Sequence, residues 1–141
     1  MMDDFFSNLI AAGAYSAAGL VAMALAFLAL DWLTPGPLRA QVWQDRNRNA
    51  ATLVASNLAG VAIIVVAAIV ASTGGLAEGL IYTAAYTFVG LVVMAAAFAL
   101  VHFVTPGNLG DAIMDSEPHP AVRVHAVLHI AIAAIVAASI L

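Results

Sequence analysis

Residues 15–36 read YSAAGLVAMALAFLALDWLTPG, and residues 86–107 read YTFVGLVVMAAAFALVHFVTPG. The two stretches lie 71 positions apart and align without a gap. From position 9 to position 38, 15 of 30 residues are identical to the residue 71 positions later, and 12 of these matches are not alanine. The same shift aligns residues 8–70 with residues 79–141, more weakly in the later part of each copy. A repeat this long predicts that the chain consists of two copies of one structural unit.

The composition of both copies is typical of a membrane protein. Hydrophobic residues make up 65% of the chain and charged residues 9%, whereas soluble proteins average about 45–50% and about 25%. A helix that spans a bilayer needs about 20 mainly apolar residues. Four runs reach that length, at about residues 5–33, 50–73, 76–104 and 121–141. Because the runs are continuously apolar rather than alternating, they predict helices.

The repeat and the four runs together predict an all-α membrane protein with four transmembrane helices. Residues 1–73 would form the first two-helix unit and residues 74–141 the second. Two-helix units enter the membrane in the same direction, which makes them parallel repeats related by a pseudo-twofold axis along the membrane normal. The acidic start of the chain, Met1 to Asp4, lacks the basic region of a cleaved signal peptide, so we expect the first helix to be retained.

The four arginines predict the orientation, because positive residues favour the cytoplasmic side. Arg39, Arg46 and Arg48 lie between the first two runs, and Arg123 lies at the start of the fourth. The connection between the second and third runs carries no arginine. We therefore expect the loop within each unit to be cytoplasmic and both termini to lie outside. The sequence has no basic stripe, so nothing in it indicates a nucleic-acid partner.

A Thr-Pro-Gly triplet ends the first helix of each unit, because proline cannot continue a helix and glycine permits the turn. The triplets are Thr34, Pro35 and Gly36, and Thr105, Pro106 and Gly107. Apolar residues at i, i+4 and i+5 then predict a short amphipathic helix in the membrane interface, within residues 37–48 and 108–118. The alternative is a plain loop in which Trp43 enters the headgroup region.

A stripe with four-residue spacing recurs on the first helix of each unit. Four-residue spacing keeps side chains on one helix face, and small residues allow membrane helices to approach closely. We interpret the stripe as the helix-packing face of each unit rather than as a ligand site. Its members are Tyr15, Gly19, Met23 and Phe27, and Tyr86, Gly90, Met94 and Phe98.

At this level of detail the chain resembles the DUF350 family, also called UPF0719. The resemblance rests on an apolar helix ending in Leu-Thr-Pro-Gly at 33–36 or Val-Thr-Pro-Gly at 104–107, followed by a short segment and a second apolar helix, all present twice. It covers essentially the whole chain. It implies a small, multi-pass protein of the bacterial inner membrane, with periplasmic termini in the orientation predicted above. It supplies no catalytic residues.

Ionisable residues distinguish the two copies, and inside a membrane such groups mark function or pairing by default. Asp31 in the first copy aligns with His102 in the second, just before each helix stop. The two side chains are candidates for an Asp–His pair across the pseudo-axis, or for simple hydration near the headgroups. His125 and His129 occur only in the second copy, four residues apart on one face of the last helix.

Three explanations of these histidines stay open. The first is structural: neutral rings that hydrogen-bond to a neighbour, with Asn57 or Thr87 as candidate partners. The second is a proton or ion path formed with Asp31 and His102. The third is a metal site, since an i, i+4 histidine pair can hold one ion, or haem ligation by His102 and His125 at similar depth. The absence of cysteine excludes thiolate ligands.

Without a catalytic constellation, the leading expectation is a non-enzymatic subunit or scaffold that acts through helix–helix and loop contacts. Its abundant alanine and glycine favour close helix contacts, either with a second copy of the chain or with a membrane partner. A small proton or ion conduit and a haem or metal electron carrier are the alternatives. No cofactor is the simplest expectation.

Overall fold

The computed structural model of the protein describes residues 2–34, 36–104 and 106–141, and these are almost entirely helical. Four long helices are each long and apolar enough to cross a membrane, which confirms the predicted all-α architecture. Two short helices lie at one end of the bundle, called here the short-helix end. In chain order the helices are α1 Met2–Leu33, α2 Leu38–Trp43, α3 Arg48–Ala71, α4 Leu76–Val104, α5 Leu109–Met114 and α6 Pro120–Ile140.

Both long helices that precede a Thr-Pro-Gly triplet end next to it. Helix α1 ends at Leu33 and α4 ends at Val104. Gly36 and Gly107 follow with φ of 88° and 111°, a left-handed conformation that costs glycine little. Thr34 and Pro106 lie outside the helices, while Pro35 and Thr105 lie outside the described residues. The glycine of each triplet thus allows the chain to reverse toward the next short helix.

Helix α3 is the centre of the bundle. It packs against α1, α4 and α6, and twelve of its residues are buried. By contrast, only Ala22, Ala26 and Leu30 of α1 are buried, although α1 is the longest helix. The bundle therefore has a covered central helix and a largely uncovered first helix, whose other faces are available to lipid or to another protein.

One contact between the two long helices of a unit recurs in both copies. A Cβ atom added to Gly19 on α1 would lie 3.3 Å from Val65 on α3, and one added to Gly90 on α4 would lie 3.3 Å from Val136 on α6. Each residue of the first pair lies 71 positions before its counterpart. The repeated sequence therefore produces a repeated helix contact.

The contacts between the units differ. Helix α4 packs closely on α3, but α1 has little contact with α6 among the described residues. A Cβ atom on Gly90 would lie only 2.5 Å from Ile64 of α3. The counterpart of Ile64 is Ile135 on α6, and that side chain is 70% exposed. The contact between α3 and α4 therefore has no equal counterpart between α6 and α1 among the described residues.

The stripe residues occupy different environments in the two copies. In the first copy Tyr15, Gly19, Met23 and Phe27 are half-buried, beside the fully buried line of α1. In the second copy Gly90, Met94 and Phe98 are buried, and only Tyr86 is exposed. The more complete burial in the second copy follows from the additional packing of α4 on α3.

The short helices turn part of their apolar face toward the bundle. Leu38 of α2 and Ile113 of α5 are completely buried, and both belong to a cluster that includes Leu53 of α3 and Val122 of α6. The last apolar residue of α2, Trp43, points outward and contacts Phe27 at a ring distance of 6.0 Å. Because the inner residues cover the end of the core, these helices do not offer their whole apolar face to headgroups.

Candidate functional site

Asp31 serves as a cap of the short helix α2. Its Oδ1 accepts a hydrogen bond of 2.7 Å from the backbone N–H of Leu38, the first residue of that helix. Pro37, at the N-cap position, provides no side-chain acceptor. In the second copy Asn108 occupies that position, and its side chain accepts from Gly110 N at 2.9 Å. The carboxylate is therefore needed only in the first copy.

His102 is consequently free of any capping role. The side chain is exposed and lies edge-on to Phe103 at a ring distance of 6.1 Å. The structure contains no ion pair or hydrogen bond between His102 and Asp31 among its described residues, so the candidate Asp–His pair is not formed. Instead His102 and His125 both line a pocket between α4, α5 and α6.

His125 is a buried polar side chain of α6. It is only 3% exposed, and its Nδ1 lies 2.9 Å from the carbonyl oxygen of Ala121. Because a carbonyl only accepts, Nδ1 carries the proton, and the neutral ring then has its lone pair on Nε2. That Nε2 atom is buried and has no hydrogen-bond partner among the described residues.

His129 has a hydrogen-bond partner on a neighbouring helix. Its Nδ1 lies 3.1 Å from Ser56 Oγ, and the Ser56 hydroxyl donates to the carbonyl of Leu53 at 2.9 Å. The serine proton is thus used, so His129 donates through Nδ1. The ring also stacks on Phe98 at 5.5 Å. The partner of this histidine is Ser56, and neither of the two candidates from the sequence, Asn57 and Thr87, makes that hydrogen bond.

Asn57 lies on α3 close to His129 without a hydrogen bond to it. Its Nδ2 is 3.5 Å from the carbonyl of Ala26, which is the limit of a hydrogen bond. Asn57 and His129 both line a small cavity of about 40 Å³ between α1 and α4. Asn57 of α3 and His129 of α6 therefore lie in a separate place from Asp31.

The pocket that contains His102 and His125 has a volume of about 360 Å³. His125 is buried, whereas Asp111 and Asp115 are exposed, so the carboxylates lie nearer to solvent than the imidazole. His119 also lines the pocket and caps α6 through a 3.1 Å bond from Ala121 N to Nδ1. These three additional residues were not grouped with the histidines by their sequence spacing.

The differences between the two aligned copies could have indicated the pocket residues from the sequence alone. The residues 71 positions before Asp111, Asp115 and His119 are alanine, glutamine and arginine. His102 and His125 likewise correspond to Asp31 and Val54. Every ionisable residue that lines the pocket therefore differs from the residue at the same position of the first copy. Comparing all ionisable positions between the copies would have identified the group.

Asn49 holds the connector that forms one wall of the pocket. Its Nδ2 lies within 3.2 Å of the carbonyl oxygens of Ala112, Asp115 and Glu117, and its Oδ1 accepts from His119 N at 2.9 Å. Asn47 adds a 2.7 Å bond to a fourth carbonyl, that of Ile113. These contacts join the start of α3 to α5 and its connector, 63 to 70 residues later in the chain.

The second copy cannot return this interaction, because the residues corresponding to Asn47 and Asn49 are Pro118 and Pro120. Proline has neither a side-chain amide nor a backbone N–H. The first copy therefore supports the loop of the second, and not the reverse.

The described residues contain no group of three or more His, Asp or Glu side chains that could hold a metal ion. His125 and His129 share a helix face, but their Nδ1 atoms bind different partners. The candidate two-histidine metal site therefore lacks further ligands in this arrangement. Haem ligation by His102 and His125 stays a prediction, which an absorption spectrum of the purified protein would test.

Four apolar helices that are each long enough to cross a membrane, with two short helices at one end, define a small transmembrane protein. The chain belongs to the DUF350 family, whose profile, described as a Domain of Unknown Function, matches residues 4–140. This confirms the family resemblance found in the sequence.

The curated relatives that the chain matches are also described as transmembrane proteins. The chain is 36% identical over 133 residues to UPF0719 transmembrane proteins of Mycobacterium bovis and Mycobacterium tuberculosis, covering 94% of this chain and 88% of each relative. It is 29% identical over 126 residues to a UPF0719 transmembrane protein of Mycolicibacterium paratuberculosis, covering 89% and 83%. No solved structure matches the chain.

Proposed function

We propose that this protein is a non-enzymatic subunit of a bacterial inner-membrane assembly, built from two parallel two-helix repeats around an approximate twofold axis. The short-helix end would face the cytoplasm and both termini the periplasm. The arginine distribution supports the orientation. The equal contacts of Gly19 with Val65 and of Gly90 with Val136 support the repeat.

The observation that carries the assembly role is the open face between α1 and α6. Ala12, Gly13 and Ser16 of α1 are exposed, whereas Thr83 and Thr87, the counterparts of Ala12 and Ser16, are buried. A Cβ atom on Gly13 would meet nothing within 4 Å. Small residues on an outward face allow the backbone of another helix to come close. This face therefore suits a helix of a second copy or of a membrane partner.

The hydrogen bonding of Ser56 supports a non-enzymatic role. A serine nucleophile needs a neighbouring base that takes its proton. Here the Ser56 hydroxyl donates to the Leu53 carbonyl, and His129 is the donor toward Ser56. The pair is thus arranged as a structural hydrogen bond between α3 and α6.

Single cysteines in this cysteine-free chain test the assembly. We expect Gly13→Cys to form disulfide-linked dimers on mild oxidation in native-lipid nanodiscs. The matched control is Ala84→Cys at the corresponding position of the second copy, which we expect to form no disulfide-linked dimers. A co-purifying membrane protein without dimers would instead identify a heteromeric partner. A strictly monomeric protein with no companion would contradict the proposal.

Orientation is tested with a membrane-impermeant thiol reagent on intact cells. Gln44→Cys lies on the exposed connector after α2 and should be protected. Gly75→Cys lies in the turn between α3 and α4 and should be labelled. Gly75 is preferable to Gly74, because Gly74 has φ of 89° and would strain any replacement. The reverse labelling pattern would overturn the orientation.

A second candidate, a proton or ion conduit, is favoured by buried polar atoms along the inner side of α4. Thr83 and Thr87 each have a buried Oγ1 that lacks a hydrogen-bond partner within the described part of the chain. Farther toward the short-helix end lie Asn57, His129 and finally His125. A flux assay in liposomes tests this candidate: a pH-gradient-driven flux that the His125→Val, His129→Leu double variant abolishes would support it, and no flux in the unmodified protein would exclude it.

A further inference from the structure

We propose that a second chain of this protein covers the open α1–α6 face, with α1 of each chain packed on α6 of the other as α4 packs on α3 within one chain. This inference rests on the assembly role proposed above and names its partner as a second copy of the same chain. The α3–α4 contact serves as the template, because the residues that form it have counterparts on α6 and α1, 71 positions away.

An exposed side of α6 corresponds to a buried side of α3. Its residues are spaced so that they share one side of the helix, and they are Val127, Ala131, Ile135 and Ala138. Their counterparts on α3, all of them buried, are Ser56, Gly60, Ile64 and Ala67. The exposed fraction is 70% for Ile135 and 0% for Ile64. The second unit therefore repeats a side that is covered in the first unit, but no described part of the chain covers it there.

The first unit exposes the other side of the same junction. On α1 the exposed residues are Asn8, Ala12 and Ser16. Their counterparts on α4, which are all buried, are Gly79, Thr83 and Thr87. On the second helix of each unit, Val66 is 60% exposed whereas its counterpart Ala137 is 8% exposed. The residues buried where the two units meet are thus exposed at the two free sides of the chain.

The glycine of the packing stripe shows which contact is missing. A Cβ atom on Gly90 would meet two helices, at Val136 of its own unit and at Ile64 of the other unit. A Cβ atom on Gly19 would meet only Val65 of its own unit within 4 Å among the described residues. The missing neighbour corresponds to Ile135, which is identical to its counterpart Ile64. Gly19 therefore has room for Ile135 of a second chain.

A second residue pair of the template also has a matching counterpart. A Cβ atom on Gly60 would lie 3.2 Å from the methyl group of Met94. The corresponding residues are Ala131 and Met23, again a small residue opposite a methionine. Since small residues allow membrane helices to approach closely, α6 and α1 of two chains can meet in the register of α3 and α4.

A polar pair favours a second chain over lipid on this face. The hydroxyl of Tyr15 lies so close to Gly79 of α4 that it would collide with a Cβ atom there. The corresponding residues are Tyr86 of one chain and Asn8 of the other, and both are exposed. A tyrosine hydroxyl and an amide side chain can form a hydrogen bond, which lipid tails cannot offer.

A twofold arrangement of two chains forms both contacts at once. The exposed sides of α1 and α6 border the same open face, and a twofold interface pairs each surface with its complement in both directions. Each chain then receives the partner's α1 on its α6. Within one chain α1 packs against α3 and has little contact with α6 among the described residues, so a second chain supplies this contact.

Paired cysteines in the cysteine-free chain test the contact in native-lipid nanodiscs. Two differently tagged chains are co-expressed, one with Gly19→Cys and the other with Ile135→Cys, and are oxidised mildly. We expect a disulfide-linked product that carries both tags. The positive control is Ile64→Cys with Gly90→Cys in one chain, which should close an internal disulfide because these residues are in contact.

The matched negative control is Val21→Cys in place of Gly19→Cys. Val21 is 59% exposed and lies two residues farther along α1, on another side of the helix, so it should leave the chains unlinked. A second pair, Met23→Cys with Ala131→Cys joined by a short bifunctional thiol reagent, keeps Gly19 unchanged and should also link the two tags.

The outcomes separate this contact from the assembly role. The proposal is overturned if neither pair links the two tags although the positive control closes, which is the result expected when lipid covers the face. It is also overturned if Val21→Cys links to Ile135→Cys as efficiently as Gly19→Cys does. Gly13→Cys dimers or a co-purifying membrane protein, without any product that carries both tags, would retain the assembly role and reject the α1–α6 contact.

Discussion

The short-helix ends of the two copies start from the same sequence pattern but use their polar residues differently. In the first copy, Asp31 caps α2, and Asn47 and Asn49 bind backbone groups of the other copy. In the second copy, Asn108 caps α5, and the ionisable residues line a pocket instead. The comparison shows that aligned positions of the two copies hold backbone groups in one copy and line a pocket in the other.

The largest effect on stability should come from Asn49, which links the start of α3 in the first copy to α5 and its connector in the second. Asn49→Ala removes from a buried site the Nδ2 donor group that three carbonyl oxygens share and the Oδ1 acceptor of His119 N, and so leaves backbone groups of α5 and its connector without this partner. We expect a loss of roughly 2–4 kcal/mol in the free energy of unfolding, measured by denaturant titration in one detergent. Thr52→Ala on the same helix is the control, because its hydroxyl bond to Arg48 O is exposed. Equal stability of both variants would mean that the connector is held in another way.

The next effect compares the two equivalent glycines of the packing stripe. Gly90→Ala would place a methyl group 2.5 Å from Ile64, whereas Gly19→Ala would place it 3.3 Å from Val65. Overpacking of this kind costs about 1–3 kcal/mol, so Gly90→Ala should lower the unfolding midpoint clearly more than Gly19→Ala does. A midpoint change of the same size in both variants would show that the two units are packed more symmetrically than described above.

A smaller effect tests the different roles of the aligned residues Asp31 and His102. Asp31→Ala leaves the N–H of Leu38 without its side-chain acceptor and should cost about 1 kcal/mol, as for other helix caps. His102→Ala removes an exposed ring and should change stability by less than about 0.5 kcal/mol. Circular dichroism melts of both variants would measure the difference. A larger loss for His102→Ala would assign that side chain a structural role.

The smallest effect is expected for replacing the two helix-α6 histidines by their first-copy counterparts. In His125→Val with His129→Leu, the Ser56 hydroxyl keeps its bond to Leu53, and an unpaired buried Nε2 is removed. The gain and the lost His129 bond should nearly cancel, leaving stability within about 1 kcal/mol. Size-exclusion profiles and melting curves should match those of the unmodified protein. Failure of this variant to insert or assemble would show that the imidazoles hold the structure together.

The candidate site could be predicted only in part. The difference between the copies singled out Asp31, His102, His125 and His129, and the structure places two of them on one pocket. Asp31 was grouped with them because of its alignment with His102, yet its partner is Leu38 in the same copy. Asn49 lies at the start of an apolar helix and has no unusual spacing, so nothing in its local sequence indicated a bond to a connector about 70 residues away.

The sequence by itself determined the four apolar helices, the positions where they end and the duplication. This follows because helices in lipid satisfy their backbone hydrogen bonds within one segment, so that local composition and the Pro-Gly stops are sufficient. Only the tertiary structure decided that α4 packs on α3 while α1 leaves α6 open, that Ser56 is the partner of His129, and that Asn49 supports the pocket. Those features depend on how side chains from distant segments pack together, and two similar repeats can meet in more than one way.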